Sequence, residues 1–167
     1  MADMLVKLYD LPSLHDTLRE LEARGVVVRR ARVPERAVVL DWTDRQFTAW
    51  TPEVDVAFTR LPVTCWIAVR QDPAAAGAEL IGLACHDVMC RNFFGPMAVD
   101  ATHRLQGVGR ALLLAALHAQ RDAGYAYSII AGVGPEAFYG RAVQAITIPG
   151  STPGVYAGML RAWRESP

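Results

Sequence analysis

The sequence predicts one α+β (α/β) domain, a mixed sheet flanked by helices, and three observations predict it. Phe93–Val99 reads as a strand, Ala111–Ala123 as a helix and Tyr125–Ala131 as a second strand parallel to the first. Val63–Arg70 and Glu79–His86 are apolar runs on either side of a turn, Gln71–Gly77, rich in alanine, proline and glycine, which reads as an antiparallel hairpin. The 167 residues are 52% hydrophobic and 20% charged, enough for one real core and far from a disordered composition. No repeat or low-complexity linker divides the chain, so 1–167 is read as a single domain.

The elements follow in order. Met4–Tyr9 is a short strand or arm. Ser13 caps a helix over Leu14–Arg24, which Gly25 ends. Val26–Arg30 is a strand. Pro34 opens a helix of about Glu35–Phe47 with Val38, Val39 and Trp42 inward, and Trp50, Val54 and Phe58 continue in a shorter helical region after Pro52. The charged residues of this segment read as a solvated face. The strand Asn92–Val99 holds Gly95-Pro96, and a proline, unable to donate to a ladder, marks an edge or a bulge. Glu136–Ala142 is a short helix. Ala145–Ile148 and Val155–Leu160 read as closing strands.

Composition narrows the function classes. A net charge of zero argues against a nucleic-acid surface. Cys65, Cys85 and Cys90 are few, odd in number and without a C-x-x-C, so they read as buried thiols in a reducing compartment, with no metal. No stretch approaches the ~20 apolar residues of a membrane span, and no signal peptide is visible. A cytoplasmic protein is expected.

The strand Phe93–Val99 and the helix after it are joined by Arg104-Leu-Gln-Gly-Val-Gly-Arg110. No Ser, Thr, Asp or Asn lies between His103 and Arg110 to cap the helix. The first N–H groups of a helix have no partner within it. Gly107 and Gly109 let another molecule approach them, and the helix dipole favours an anion there, such as a phosphate.

At these residues the chain resembles the GNAT superfamily of acyl-CoA-dependent N-acyltransferases. Its motif R/Q-x-x-G-x-G/A is met by Arg104, Gly107 and Gly109, with Leu105 where many members carry another glycine. The order strand, motif, alanine- and leucine-rich helix, strand, then Phe138-Tyr139 in a short helix follows the second half of such a domain. The resemblance covers about 26–160 and leaves 1–25 as an N-terminal extension. That extension would pack on the domain or mediate a homodimer, and it is expected to be dispensable for cofactor binding.

The resemblance implies a central mixed, mostly antiparallel sheet splayed between its fourth and fifth strands. It implies acetyl-CoA as co-substrate and no metal. The pyrophosphate would lie on Arg104, Leu105, Gln106, Gly107, Val108, Gly109, Arg110 and Ala111. The pantetheine arm would meet the backbone of Met97, Ala98 and Val99, with an N–H near Ala98 or Val99 as oxyanion donor. Trp50 and Asn92 would touch the acceptor, a primary amine of a small molecule that attacks directly in a ternary complex.

Tyr139 matches the family's tyrosine aimed at the sulfur. A thiol near ~8.5 and a phenol near ~10 make proton transfer uphill by ~1.5 pH units, or ~2 kcal/mol. A lysine-like amine is neutral only about once in ~2,500 molecules at pH 7, so a base is needed. His86, Asp87 and Asp100 stand at strand ends, and Asp87 is the choice for the acceptor side.

Two rivals remain in view. Gly132-x-Gly134-x-x-Ala137 fits a dinucleotide fingerprint. However, Pro135 deletes a donor from that loop, and no acidic residue follows at the distance a ribose partner requires. A non-catalytic acyl-CoA-binding or sensor module would keep the phosphate cradle without the acid and base.

Overall fold

The computed structural model describes residues 1–71 and 77–160. The hairpin turn predicted at 71–77 falls largely outside them. The strands are β1 (Met4–Lys7), β2 (Val26–Arg30), β3 (Cys65–Gln71), β4 (Ala78–His86), β5 (Phe93–Val99), β6 (Tyr127–Ile130) and β7 (Ile146–Thr147). The helices are α1 (Leu14–Glu22), α2 (Arg36–Phe47), α3 (Thr51–Ala57), α4 (Val108–Asp122) and α5 (Glu136–Val143). The strands form one sheet in the order β2-β3-β4-β5-β6-β1-β7. Among the described residues only β5 and β6 pair in parallel, and only at Phe93↔Ile129 and Phe94↔Ile130. Beyond those two pairs they part, which is the expected splay.

Alternation along the strands supplies a core on each face. On one side Val39, Val54, Ala57 and Phe58 of the α2–α3 region meet Cys65, Ile67, Leu83 and Cys85. On the other, α4 lies across the sheet with Leu112, Leu113, Leu114 and Leu117 fully buried. Full burial of each such leucine stabilises by about 1.5–3 kcal/mol. Cys65 and Cys85 are free, opposite one another and buried.

Gly82 lets α4 come this close. A Cβ there would stand 2.9 Å from Ala98 O and 3.1 Å from Leu112 Cδ1. Gly82→Ala is therefore expected to destabilise by about 1–3 kcal/mol, measured as a lower urea midpoint at unchanged slope.

Three readings are corrected. The segment set apart as an extension supplies β1, which sits inside the sheet and pairs antiparallel with β6 on one edge and β7 on the other. The closing strand expected over Val155–Leu160 is absent. Residues Gly154–Tyr156 form a 3-10 turn, and left-handed Gly150, Gly154 and Gly158 break any extended run. Val38 points outward at 63% exposure, leaving Val39 and Thr43 as the buried side of α2.

Candidate active site

Two features frame the site: the start of α4 and the gap where β5 and β6 part. Gly107 is the N-cap of α4 at φ 86°, with no side-chain cap. Leu105 is also left-handed, at φ 61°, and fully exposed. Ala111 N–H bonds back to Gly107 O at 3.1 Å, so the N–H groups of Val108, Gly109 and Arg110 face outward from the helix end. A Cβ on Gly109 would find only ordinary contacts, 3.6 Å to Val99 Cγ2 and 3.8 Å to Phe138 Cζ. Packing does not demand glycine there, so the bare backbone leaves room for a ligand. These residues fit a pyrophosphate.

Arg104 donates from Nε to Val99 O at 3.1 Å, which anchors the cradle to the end of β5. Two arginines to which the sequence reading gave no role gather on its flank. Arg24 and Arg70 line a recess of about 280 Å³ beside His103, Gln106 and Val108. Arg24 Nη2 lies 3.6 Å from where a Cβ on Gly107 would be. Arg24 belongs to the segment read as an extension, and no local signal places it here.

The bulge forms where Gly95-Pro96 predicts it. The register runs Ala84↔Met97 and then His86↔Phe94, so Gly95 and Pro96 face Cys85 alone. Past the bulge, Asp100 N–H donates to Ile81 O at 2.9 Å. Backbone groups alternate sides along a strand, so Ala98 N–H also turns toward β4. Those of Met97 and Val99 turn toward the gap. Of the two oxyanion donors expected, Val99 fits and Ala98 does not.

The gap opens into a cleft of about 680 Å³. Trp50, Met97 and Tyr139 line it, together with Glu53, Phe93 and Tyr156. Trp50 stacks on Phe47 with ring centres 4.9 Å apart. Tyr139 packs edge-on against Phe94 and Phe138, and burial pushes its hydroxyl up to about 12. Glu53, on α3, is half-buried, and burial raises its carboxyl above the ordinary range. Among the described residues no side chain donates a hydrogen bond to it.

Asp87 and Asn92 are placed elsewhere, and neither lines the cleft. Both are left-handed, at φ 56° and 57°, in the turn from β4 to β5. Asp87 Oδ2 meets His86 Nδ1 at 2.7 Å, and Oδ1 accepts Asn92 N–H at 2.6 Å. Gln120 of α4 approaches the same oxygen at 3.5 Å and holds Ser128 at 2.7 Å. Burial pushes the Asp87 carboxyl up, but the bonds from His86 and Asn92 outweigh it and hold it below the usual range. It is a structural carboxylate under α4, on the face away from α2 and α3. His86 and Asp100 do not line the cleft either. The side chain expected to serve as base, Asp87, thus lies outside the cleft.

No known family model matches the chain, and no curated protein matches it. Solved structures do. A GCN5-related glucosamine N-acetyltransferase region of a fungal multi-domain GH3 beta-N-acetylglucosaminidase superposes with TM-score 0.70 at 14% identity, over 88% of this chain and 19% of that one. A GCN5-related N-acetyltransferase from Sphaerobacter thermophilus gives TM-score 0.62 at 15% identity, over 88% of this chain and 48% of that one. A Drosophila protein gives 0.59 at 14%, over 88% and 47%. The chain thus spans less than half the length of these structures. It has the fold of the GCN5-related N-acetyltransferases, the GNAT fold.

Proposed function

We propose that the protein is an acyl-CoA-dependent N-acyltransferase that moves an acetyl group from acetyl-CoA to a primary amine within a ternary complex. The observation that carries this reading is the junction of an uncapped, glycine-opened helix start with a splayed parallel strand pair on the GNAT fold.

In this reading the N–H groups of residues 108–110 hold the pyrophosphate, and Arg24 and Arg70 add charge for the phosphates beside them. Met97 and Val99 N–H groups meet the pantetheine arm, and Val99 N–H stabilises the oxyanion. Glu53 takes a proton from the acceptor's ammonium, which frees the nitrogen lone pair for attack. The amine nitrogen bonds to the thioester carbon, the carbon–sulfur bond breaks, and the sulfur leaves with its electron pair and takes up the second proton that the nitrogen gives up. Tyr139 donates a hydrogen bond to that sulfur. With its hydroxyl near about 12 and a thiol near ~8.5, full proton transfer would cost roughly 5 kcal/mol. The tyrosine therefore serves as a donor that keeps its proton.

Gly109→Glu places a side chain and a like charge in the cradle. The variant is expected to stay folded, since a Cβ fits there, and to lose at least about 100-fold in acetyl-CoA affinity. Calorimetric titration checks this, and a folded variant with unchanged affinity would dismiss the cradle.

A further inference from the structure

We infer that the acceptor is a monoamine carried on an aromatic or branched apolar body. This inference rests on the acyltransferase reading above and deepens it. The cleft beside Tyr139 is walled by Trp50, Met89, Phe93, Met97 and Tyr156. Among the described residues, Glu53 is the one carboxylate on its wall, and no lysine, arginine or histidine side chain lines it.

Each common class of amine makes a different demand on such a wall. An amino acid brings a carboxylate, and a desolvated carboxylate needs a cation or several donors. A polyamine brings further ammonium groups that need further acids. An amino sugar brings hydroxyl groups, each of which is costly to strip of water without a partner. A monoamine on an apolar body makes none of these demands. Its ammonium meets Glu53, and its body displaces water from the aromatic wall.

The charge at Glu53 is tuned for this role. Burial raises its carboxyl, and the same dry surroundings lower the pKa of an amine beside it. The gap between acid and base therefore narrows from both sides. Trp50, braced by its stack on Phe47, offers a held ring face to an apolar body and a cation alike.

The experiment uses the whole protein with acetyl-CoA and four amines: 2-phenylethylamine, phenylalanine, spermidine and glucosamine. Thiol release is expected to give 2-phenylethylamine a kcat/KM at least about 100-fold above phenylalanine, whose carboxylate would be buried unpaired, and above the other two. Trp50→Ala is expected to raise its KM about tenfold or more while acetyl-CoA affinity is unchanged. Preference for phenylalanine, spermidine or glucosamine would overturn the acceptor class and leave the acyltransferase reading standing. If no amine turns over, 2-phenylethylamine is titrated into the protein–CoA complex. Binding that Glu53→Gln weakens keeps the acceptor class and removes the reaction. The absence of binding overturns the acceptor class.

Discussion

Removing residues 1–24 is expected to leave no folded protein. β1 lies between two strands, and its loss strips the backbone of both β6 and β7 of ladder partners. Val6 and Leu8 are fully buried, and Leu21 nearly so. Three such side chains contribute about 1.5–3 kcal/mol each, against a total stability of roughly 5–15 kcal/mol for a domain. The residues before β1 are tied in as well. Val133 N–H donates to Ala2 O, and Gly132 N–H donates to Asp3 Oδ1 at 2.9 Å. A fragment beginning at Gly25 should show no cooperative thermal transition and no acetyl-CoA binding. A soluble fragment with a sharp transition and intact binding would show that the sheet closes without β1.

Tyr139→Phe is expected to lower kcat by about 10²–10³, the usual loss when one donor to a developing negative charge is removed. The substitution keeps the ring and its edge contacts with Phe94 and Phe138, so the melting temperature should barely move. Acetyl-CoA affinity should stay within a few-fold, because the helix start is untouched. The pH profile supplies a second reading. The donor works only while protonated, and burial holds that proton up to about 12. Activity should therefore persist past ~10, where an ordinary phenol ionises. On the acidic side the rate should rise as Glu53 loses its proton, above the ordinary carboxyl range, and Glu53→Gln should abolish that limb. Wild-type turnover by Tyr139→Phe under rate-limiting chemistry would take the hydroxyl out of the mechanism.

What the sequence made legible was local. The uncapped helix start, the hairpin, the bulge at Gly95-Pro96 and the place of Tyr139 each rest on residues near one another in the chain. β1 is four residues long, and nothing within them names a partner far downstream. Glu53 sits among charges that read as a solvated face. Its burial comes from the cleft wall, to which Tyr156 and the Gly132–Pro135 loop contribute from distant sequence. Asp87 lies away from the cleft for a different reason. Strand alternation gave its side of the sheet, but a left-handed turn carried its side chain back beneath α4 to His86 and Gln120.

The place of β1 between β6 and β7 also sets the order of assembly. Its residues leave the ribosome before every other strand, yet its neighbours on both edges are among the last to emerge. The chain can form β2 to β5 and then lay α4 over them while Met4, Val6 and Leu8 are still uncovered. Pairings this remote in sequence are slow, and they leave apolar segments exposed while they wait. The wall of the cleft that Ala131 and the loop after β6 supply is therefore finished late, when β1 docks between β6 and β7. A pause in translation after β1 acts on the cleft through this delay, without altering any residue that lines it.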